Sequence, residues 1–348
     1  MTFTTKFRGV HLISAVVVTF ISYVFLSFVQ FSYPQRKLHQ QEMCKGHNAL
    51  TGKRADLPAS ICYFESNFDQ TMLTEKLRSL ESKYNNSIIV ETNGLLVPQM
   101  YDCSSWGPHD YSKAVPSRFI FCHHQLYMRS LNPSYIEHFM DIIDEEVYEM
   151  EIVFRSILEA RASNKFVIFE VGARWGTWGF RSIAAAKLVG IENILSLFYE
   201  TDQKYCEGIQ VVGRLNNIRD FKLICEAASL ENIRSEALKL ELIDVMDFDI
   251  QGAEQHLIPA IKSIMNERVK YAVIGTHSSS THEKIRSLFA DWIMIHEFLL
   301  NKNLSCVDKF LRGSDFSGVL KYQCYVNTSL GPVCNWDGEL ILKNPKFP

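Results

Sequence analysis

Between residues 165 and 298 the sequence alternates apolar, β-rich runs with segments of helical periodicity. The strand runs are 166–171, 194–199, 221–225, 243–250, 270–276 and 293–298, and the helical segments are 177–189, 202–215, 253–265 and 282–289. This alternation predicts an α/β fold with a doubly wound, mostly parallel, Rossmann-like sheet whose strands are buried on both faces. The tail, 319–342, contains strand-like segments and a turn at Asp337–Gly338, and we expect it to add an antiparallel hairpin to the sheet edge.

The segment 12–29 contains no charged residue, and as a helix it would be about 27 Å long, close to the thickness of the hydrocarbon core of a membrane. We expect a retained signal anchor, and a cleaved signal peptide is the alternative. Either reading sends the rest of the chain into the secretory lumen. The predicted parts are a cytoplasmic tail at 1–11, a transmembrane anchor at 12–33, a stem and N-terminal extension at 34–130, and a domain at 131–348 with its core at 165–300.

Composition agrees with a lumenal location and argues against nucleic acid as a partner. The chain carries nine cysteines, none in a Cys-x-x-Cys pair, and we expect most to form structural disulfides, with at least one left unpaired. Sequons for N-glycosylation occur at Asn85, Asn303 and Asn327. The formal net charge of -3 implies no basic face, so we expect no nucleic-acid partner.

The loop after the first predicted strand contains Glu170-x-Gly172-Ala173-x-x-Gly176. Glycines at such a turn let a ligand approach the backbone closely. Position 174 is Arg, so the dinucleotide fingerprint Gly-x-Gly-x-x-Gly fails, and the Gly-Lys-Ser/Thr of a phosphate loop is also missing. The spacing suits a nucleoside with an amino-acid tail, whose amino group Glu170 would bind. A tight turn with glycines for packing only is the alternative.

Acidic and imidazole side chains follow the other strands. Glu200 ends the second strand, where a carboxylate can accept hydrogen bonds from both hydroxyls of a ribose, although a solvated strand-end residue is an equal alternative. Asp249 and Glu254 flank the end of the fourth strand, and His277 follows the fifth. Each of these three is a candidate for taking a proton from a hydroxyl, and His277 is best matched to neutral pH. The structural alternatives are helix capping for Asp249, a favourable helix-dipole position for Glu254 and a packed histidine.

Together these residues resemble the FkbM-type S-adenosylmethionine-dependent methyltransferases. The matching elements are Glu170–Gly176, Glu200, Asp249-Ile-Gln-Gly-Ala-Glu254 and Ile274-Gly-Thr-His277, in order across about 165–300. The resemblance implies a Rossmann-like methyltransferase sheet, S-adenosylmethionine as cofactor and methylation of a hydroxyl oxygen, often on a sugar or natural product. It assigns the cofactor to Glu170, Gly172, Ala173, Gly176 and Glu200. Gln251 departs from the Glu of many members, which puts substrate or activity in question.

We therefore expect an O-methyltransferase whose acceptor is a hydroxyl on a glycan or small molecule, with Asp249, Glu254 and His277 as its catalytic residues and no required metal. Two other functions remain open. Asp247-Phe248-Asp249 is an Asp-x-Asp triplet that can hold Mn²⁺ in a glycosyltransferase. A non-catalytic binding domain of the same fold is the third possibility.

Overall fold

A computed structural model of the chain describes residues 45–48, 54–56, 58–65, 88–90, 94–98, 142–143, 146–299, 325–328, 331–334 and 338–347. Seven strands form its main sheet: β1 (Lys165–Val171), β2 (Asn193–Tyr199), β3 (Phe221–Ile224), β4 (Ile243–Phe248), β5 (Val269–Gly275), β6 (Ile293–Phe298) and β7 (Glu339–Lys343). Six helices accompany it: α1 (Glu146–Ala160), α2 (Thr177–Leu188), α3 (Gln203–Leu215), α4 (Leu230–Ala237), α5 (Glu254–Arg268) and α6 (Ser279–Leu288). A seventh helix, Ala59–Glu65, precedes them.

The strand order in this sheet is β3-β2-β1-β4-β5-β7-β6. The pairings among β1 to β5 are parallel, and β7 is antiparallel to both of its neighbours, β5 and β6. The prediction of a doubly wound, mostly parallel, Rossmann-like sheet is therefore confirmed. The order reverses between β1 and β4, and in such sheets ligands bind beyond the carboxyl ends of the strands at that point.

Two hydrophobic cores cover the sheet. One packs α4, α5 and α6 against the strands through residues such as Ile233, Ile258 and Ile285. The other packs α2 and α3 around Phe180 and Phe198. Strands enclosed in this way need apolar residues on both faces, which explains the near-continuous apolar runs in the sequence.

The tail differs from its prediction. A single strand, β7, inserts between β5 and β6, so the expected hairpin at the sheet edge is wrong. Leu340, Ile341 and Leu342 are all fully buried there, and an apolar strand buries more surface between two neighbours than at an edge. A hairpin does form, from Tyr325–Thr328 and Gly331–Cys334, but as a separate two-stranded sheet.

The N-terminal predictions fall largely outside the described residues, including the transmembrane helix at 12–33. No helix within the described ranges is both long and apolar enough to span a bilayer. Within the described residues, helix α1 begins at Glu146, and Ile142–Ile143 pairs as a short parallel strand with 47–48.

Cys206 and Cys225 form a disulfide that joins α3 to the segment directly after β3. Structural disulfides were expected, but this pairing was not predicted. We expect Cys225→Ser to lower the free energy of unfolding by about 3 kcal/mol, because the crosslink closes a segment of 19 residues and restricts the unfolded chain.

Urea denaturation of the oxidised protein measures this loss, and alkylation of the denatured variant should reveal the released thiol of Cys206. The substitution lies at an exposed position and leaves the buried Cys206 side chain in place, so the loss reports the crosslink. An unchanged urea midpoint would contradict the expectation.

Candidate functional site

The loop after β1 lies in direct contact with the loop after β4. Gly172 has a φ of 92°, and its amide donates to the carbonyl of Tyr199 at 2.9 Å. A Cβ at this position would lie 2.0 Å from the carbonyl oxygen of Asp249, far closer than side chains ever approach. The amide of Asp249 in turn donates to the carbonyl of Val171 at 2.9 Å. Glycine at position 172 is therefore what allows the two loops to meet.

Glu170, near the end of β1, binds the start of the helix that follows this loop. Its carboxylate is buried and accepts the amide hydrogens of Trp178 and Gly179, at 2.9 and 2.8 Å, in the first turn of α2. Burial raises the pKa of Glu170 to about 8, although the hydrogen bonds from the two backbone amides and the charge of Arg181 oppose that shift. The side chain does not line the cavity described below. In this structure Glu170 fixes the helix that follows the loop, and its direct contact with a ligand amino group stays a prediction.

Two other residues of the motif also shape the loop without reaching the cavity. Gly176 has a φ of 87° at the start of α2, and a Cβ there would lie 2.6 Å from the ring of Phe180. Ala173 is fully buried in the core that α2 and α3 share. Of the five predicted cofactor residues, only Gly172 and Glu200 line the cavity.

Glu200 connects the loops after β1 and β2. Its carboxylate accepts the amide hydrogens of Arg174, Thr201 and Asp202 at 2.7, 2.7 and 2.8 Å. These three hydrogen bonds hold the carboxylate at the cavity wall. The position agrees with the sequence prediction, in which Glu200 faces a ligand across the ends of the first two strands.

The cavity at this rim has a volume of about 470 Å³, a size typical of small-molecule sites. It lies between the loops after β1, β2, β3 and β4. Its lining is Val171, Gly172, Arg174, Tyr199, Glu200, Thr201, Asp202, Tyr205, Glu226, Ala227, Ala228, Asp249, Ile250, Gln251 and Ala253.

Sequence reasoning missed the wall formed by Tyr205 and Glu226–Ala228. The signal was present, since Glu226 follows the third strand much as Glu200 follows the second. The rule that ligands bind beyond the strand ends applies equally to both carboxylates.

The three predicted catalytic residues come together beside the cavity. The Nε2 atom of His277 lies 3.0 Å from Asp249 Oδ1 and 3.2 Å from Glu254 Oε1. Asp249 is the accessible member, with 39% of its side chain exposed, and it lines the cavity. Burial opposes ionisation of Asp249, but the hydrogen bond and charge of His277, with further help from Arg174 and Gln251, lower its pKa below the ordinary value.

Glu254 holds the turn between β4 and α5. Its side chain is fully buried, and its two oxygens accept the amide hydrogens of Ile250 and Gly252, both at 2.7 Å. A carboxylate used in this way positions the loop that carries Asp249 and Gln251. Its predicted role as a proton acceptor is therefore less suited to the geometry than that of Asp249 or His277.

No protein-family model matches the chain, and no curated protein is similar to it in sequence. Solved structures show distant likenesses. They include fibrillarin, a pre-rRNA processing protein of Methanococcus jannaschii (11% identity over 52% of this chain and 66% of that one, TM-score 0.32). M. capricolum TrmK with S-adenosylhomocysteine shows 9% identity over 54% of this chain and 67% of that one, with a TM-score of 0.31. The METTL16 MTase domain shows 10% identity over 62% of this chain and 81% of that one, with a TM-score of 0.35. The chain thus spans just under two thirds of fibrillarin, and TM-scores this low add nothing to the fold that the strand order defines.

The contact at Gly172 generates a test with an internal control. We expect Gly172→Ala to lower the free energy of unfolding by about 3 kcal/mol or more, because it adds a steric clash to an unfavourable φ. Gly190→Ala is the matched control, since Gly190 also has a positive φ, 80°, but a Cβ there meets nothing within 4 Å. That variant should cost only about 1 kcal/mol. Equal losses in urea denaturation would show that the loops do not meet as described.

Proposed function

We propose that this chain is an S-adenosylmethionine-dependent methyltransferase of the FkbM type that methylates a hydroxyl oxygen on a glycan or small molecule. The observation that carries the proposal is the pairing of Gly172 and Glu200 in one cavity wall, with Asp249 and His277 at the adjoining edge. A nucleoside cofactor and a hydroxyl acceptor both find the groups they need at this rim.

The cavity suits a nucleoside with an amino-acid tail. Glu200 is held where it can accept hydrogen bonds from ribose hydroxyls, and the backbone of Gly172 lines the same cavity. The ring of Tyr205 and the small side chains of Ala227 and Ala228 form an apolar wall suited to a flat base. Glu226 in the same wall can accept a hydrogen bond from an exocyclic amine.

The same geometry argues against a diphosphate ligand. Phosphates bind helix N-termini through free amide groups, but the amides of Trp178 and Gly179 in α2 are already occupied by Glu170. The glycosyltransferase alternative needs both acids of Asp247-Phe248-Asp249 at the ligand. Asp247 is only 5% exposed and does not line the cavity. Neither observation favours a nucleotide-sugar enzyme.

When bound, S-adenosylmethionine supplies a methyl carbon on a sulfonium: the acceptor oxygen bonds to that carbon, the C–S bond breaks and its electron pair stays on sulfur. The chain must hold the acceptor in line and receive the hydroxyl proton. Asp249 is ionised and exposed at the cavity edge, and His277 lies behind it at 3.0 Å. This pair is suited to take the proton, while Glu254 keeps the turn in place.

We also propose that the domain lies in the lumen of the secretory pathway, in the Golgi or endoplasmic reticulum, on a single-pass type II anchor. The uncharged segment 12–29 and the sequons support the anchor and the lumenal side. The Cys206–Cys225 disulfide is typical of an oxidising compartment.

A ligand panel tests the cofactor. S-adenosylhomocysteine at 100 times its dissociation constant should stabilise the purified chain by about 2.7 kcal/mol, whereas a UDP-sugar with Mn²⁺ should add nothing beyond Mn²⁺ alone. Glu226→Ala should weaken S-adenosylhomocysteine binding about tenfold. Glu231→Ala, an exposed change outside the cavity lining, is the matched control and should leave the affinity unchanged. Stabilisation by the UDP-sugar and not by S-adenosylhomocysteine would overturn the proposed function.

The acceptor side has its own test. His277→Ala and Asp249→Asn should each keep the affinity for S-adenosylhomocysteine while lowering methyl transfer to a glycan and lipid mixture by about 100-fold or more. The assay follows label from the methyl group of the cofactor into the acceptor. Full turnover by His277→Ala would show that the proton leaves by another route.

A further inference from the structure

We propose that Asp249, Glu254 and His277 bind a divalent transition-metal ion at the edge of the cavity. One ligand atom from each, two carboxylate oxygens and an imidazole nitrogen, lies within 4.8 Å of the others. Binding of the ion follows from these residues alone, whereas its effect on the acceptor rests on the proposed methyl transfer. The two can therefore fail separately.

The spacing of the donor atoms matches shared coordination. Two ligand atoms each about 2.1 Å from one ion, at an angle of about 90–110°, lie about 3.0–3.4 Å apart. His277 Nε2 lies 3.0 Å from the Asp249 oxygen and 3.2 Å from the Glu254 oxygen. The imidazole nitrogen is therefore at coordination spacing from both carboxylates, and the two carboxylate oxygens lie within 4.8 Å of each other.

Each donor is held by the backbone around it. Asp249 is tied to β1 through its amide, and Glu254 is fixed by the turn that it closes. The imidazole of His277 lies against Gly275, where a Cβ would be only 3.1 Å from Nε2. Because Gly275 has no Cβ, there is room beside it for the imidazole ring of His277.

Three further carboxyl groups lie near the triad. Glu339 at the start of β7 pairs with Gly275, and Asp247 on β4 pairs with Val273, so both carboxylates project from the same face of the sheet as the residue at position 275. Glu149 of α1 lies near them, and its burial, together with the charges of Glu339 and Asp247, raises its pKa well above the ordinary value.

Glu339 contributes a second, independent observation. Its side chain is 4% exposed, and its Oε1 atom accepts no hydrogen bond from any described part of the chain. Leaving a buried carboxylate oxygen without a partner is costly. Burial, together with the charge of Glu146, raises the pKa of Glu339 to about 8, and a cation on the adjacent triad would favour its ionised form without Glu339 becoming a ligand.

The donor set indicates the class of ion. One imidazole and two carboxylates suit Mn²⁺, Zn²⁺ or Fe²⁺ better than Ca²⁺, which prefers six to eight oxygen ligands. Asp249 is exposed toward the cavity, so an ion on the triad keeps a position open to it. There it would lower the pKa of a coordinated acceptor hydroxyl, whose proton would leave to solvent as the C–O bond forms.

Mn²⁺ is the probe, because its free aqueous ion gives a strong electron paramagnetic resonance signal that falls on binding. The full chain, purified in detergent and stripped with a chelator, should bind one Mn²⁺, and Zn²⁺ should displace it. Asp249→Asn and His277→Ala should each weaken binding at least tenfold. His282→Ala is the matched control, because His282 also lies 3.2 Å from a glutamate, Glu297, but is not part of the triad. The affinity of this variant for Mn²⁺ should equal that of the wild-type protein.

A second measurement protects the result if a variant fails to fold. Electron spin echo modulation of wild-type protein loaded with Mn²⁺ should show coupling to a directly bound imidazole nitrogen. No Mn²⁺ or Zn²⁺ binding, binding unchanged in both triad variants, or no nitrogen coupling would each overturn the metal site. S-adenosylhomocysteine binding in the same samples separates the outcomes: with cofactor bound and no metal, the direct Asp249–His277 proton transfer stands and the metal site falls.

Discussion

The carbonyl oxygen of Asp249 occupies the space that a Cβ at position 172 would need, and this contact between two loops organises the rim of the sheet. It brings the end of β1 against the end of β4, the strands between which the order reverses. Once the loops meet, the Gly172 backbone faces the cavity and Asp249 stands at its edge. Gly172 and Asp249, which both line the cavity, are thus the two sides of one close contact.

Carboxylates at this rim work mainly through backbone amides. Glu170 binds the start of α2, Glu200 joins the loops after β1 and β2, and Glu254 closes the turn before α5. Each accepts at least two amide hydrogens, the arrangement that makes a buried or half-buried charge tolerable. Asp249 differs, because its partners are the side chains of His277 and Gln251.

The sequence predicted the parallel sheet, the rim and the placement of Glu200, because strand periodicity and the rule of carboxyl ends depend only on local patterns. It assigned Glu170 to the ligand, because nothing in a linear motif tells whether a strand-end carboxylate points outward or toward its own helix. The position of β7 was missed because strand insertion depends on long-range pairing. The triad was read as three competing bases, since distances of 3.0 and 3.2 Å among its members exist only in the folded chain.

The Cys206–Cys225 disulfide restrains the opposite side of the same rim. Cys225 directly precedes Glu226–Ala228, and its partner Cys206 directly follows Tyr205 in α3, so the crosslink ties together the two elements that supply the apolar wall of the cavity. Glu226 and Ala227 are exposed and lie in a short connection, where backbone positions are weakly restrained by packing. The disulfide restrains this wall without the need for much buried apolar surface. The loops around the cavity are therefore restrained on one side by the close contact at Gly172 and on the other by the Cys206–Cys225 disulfide.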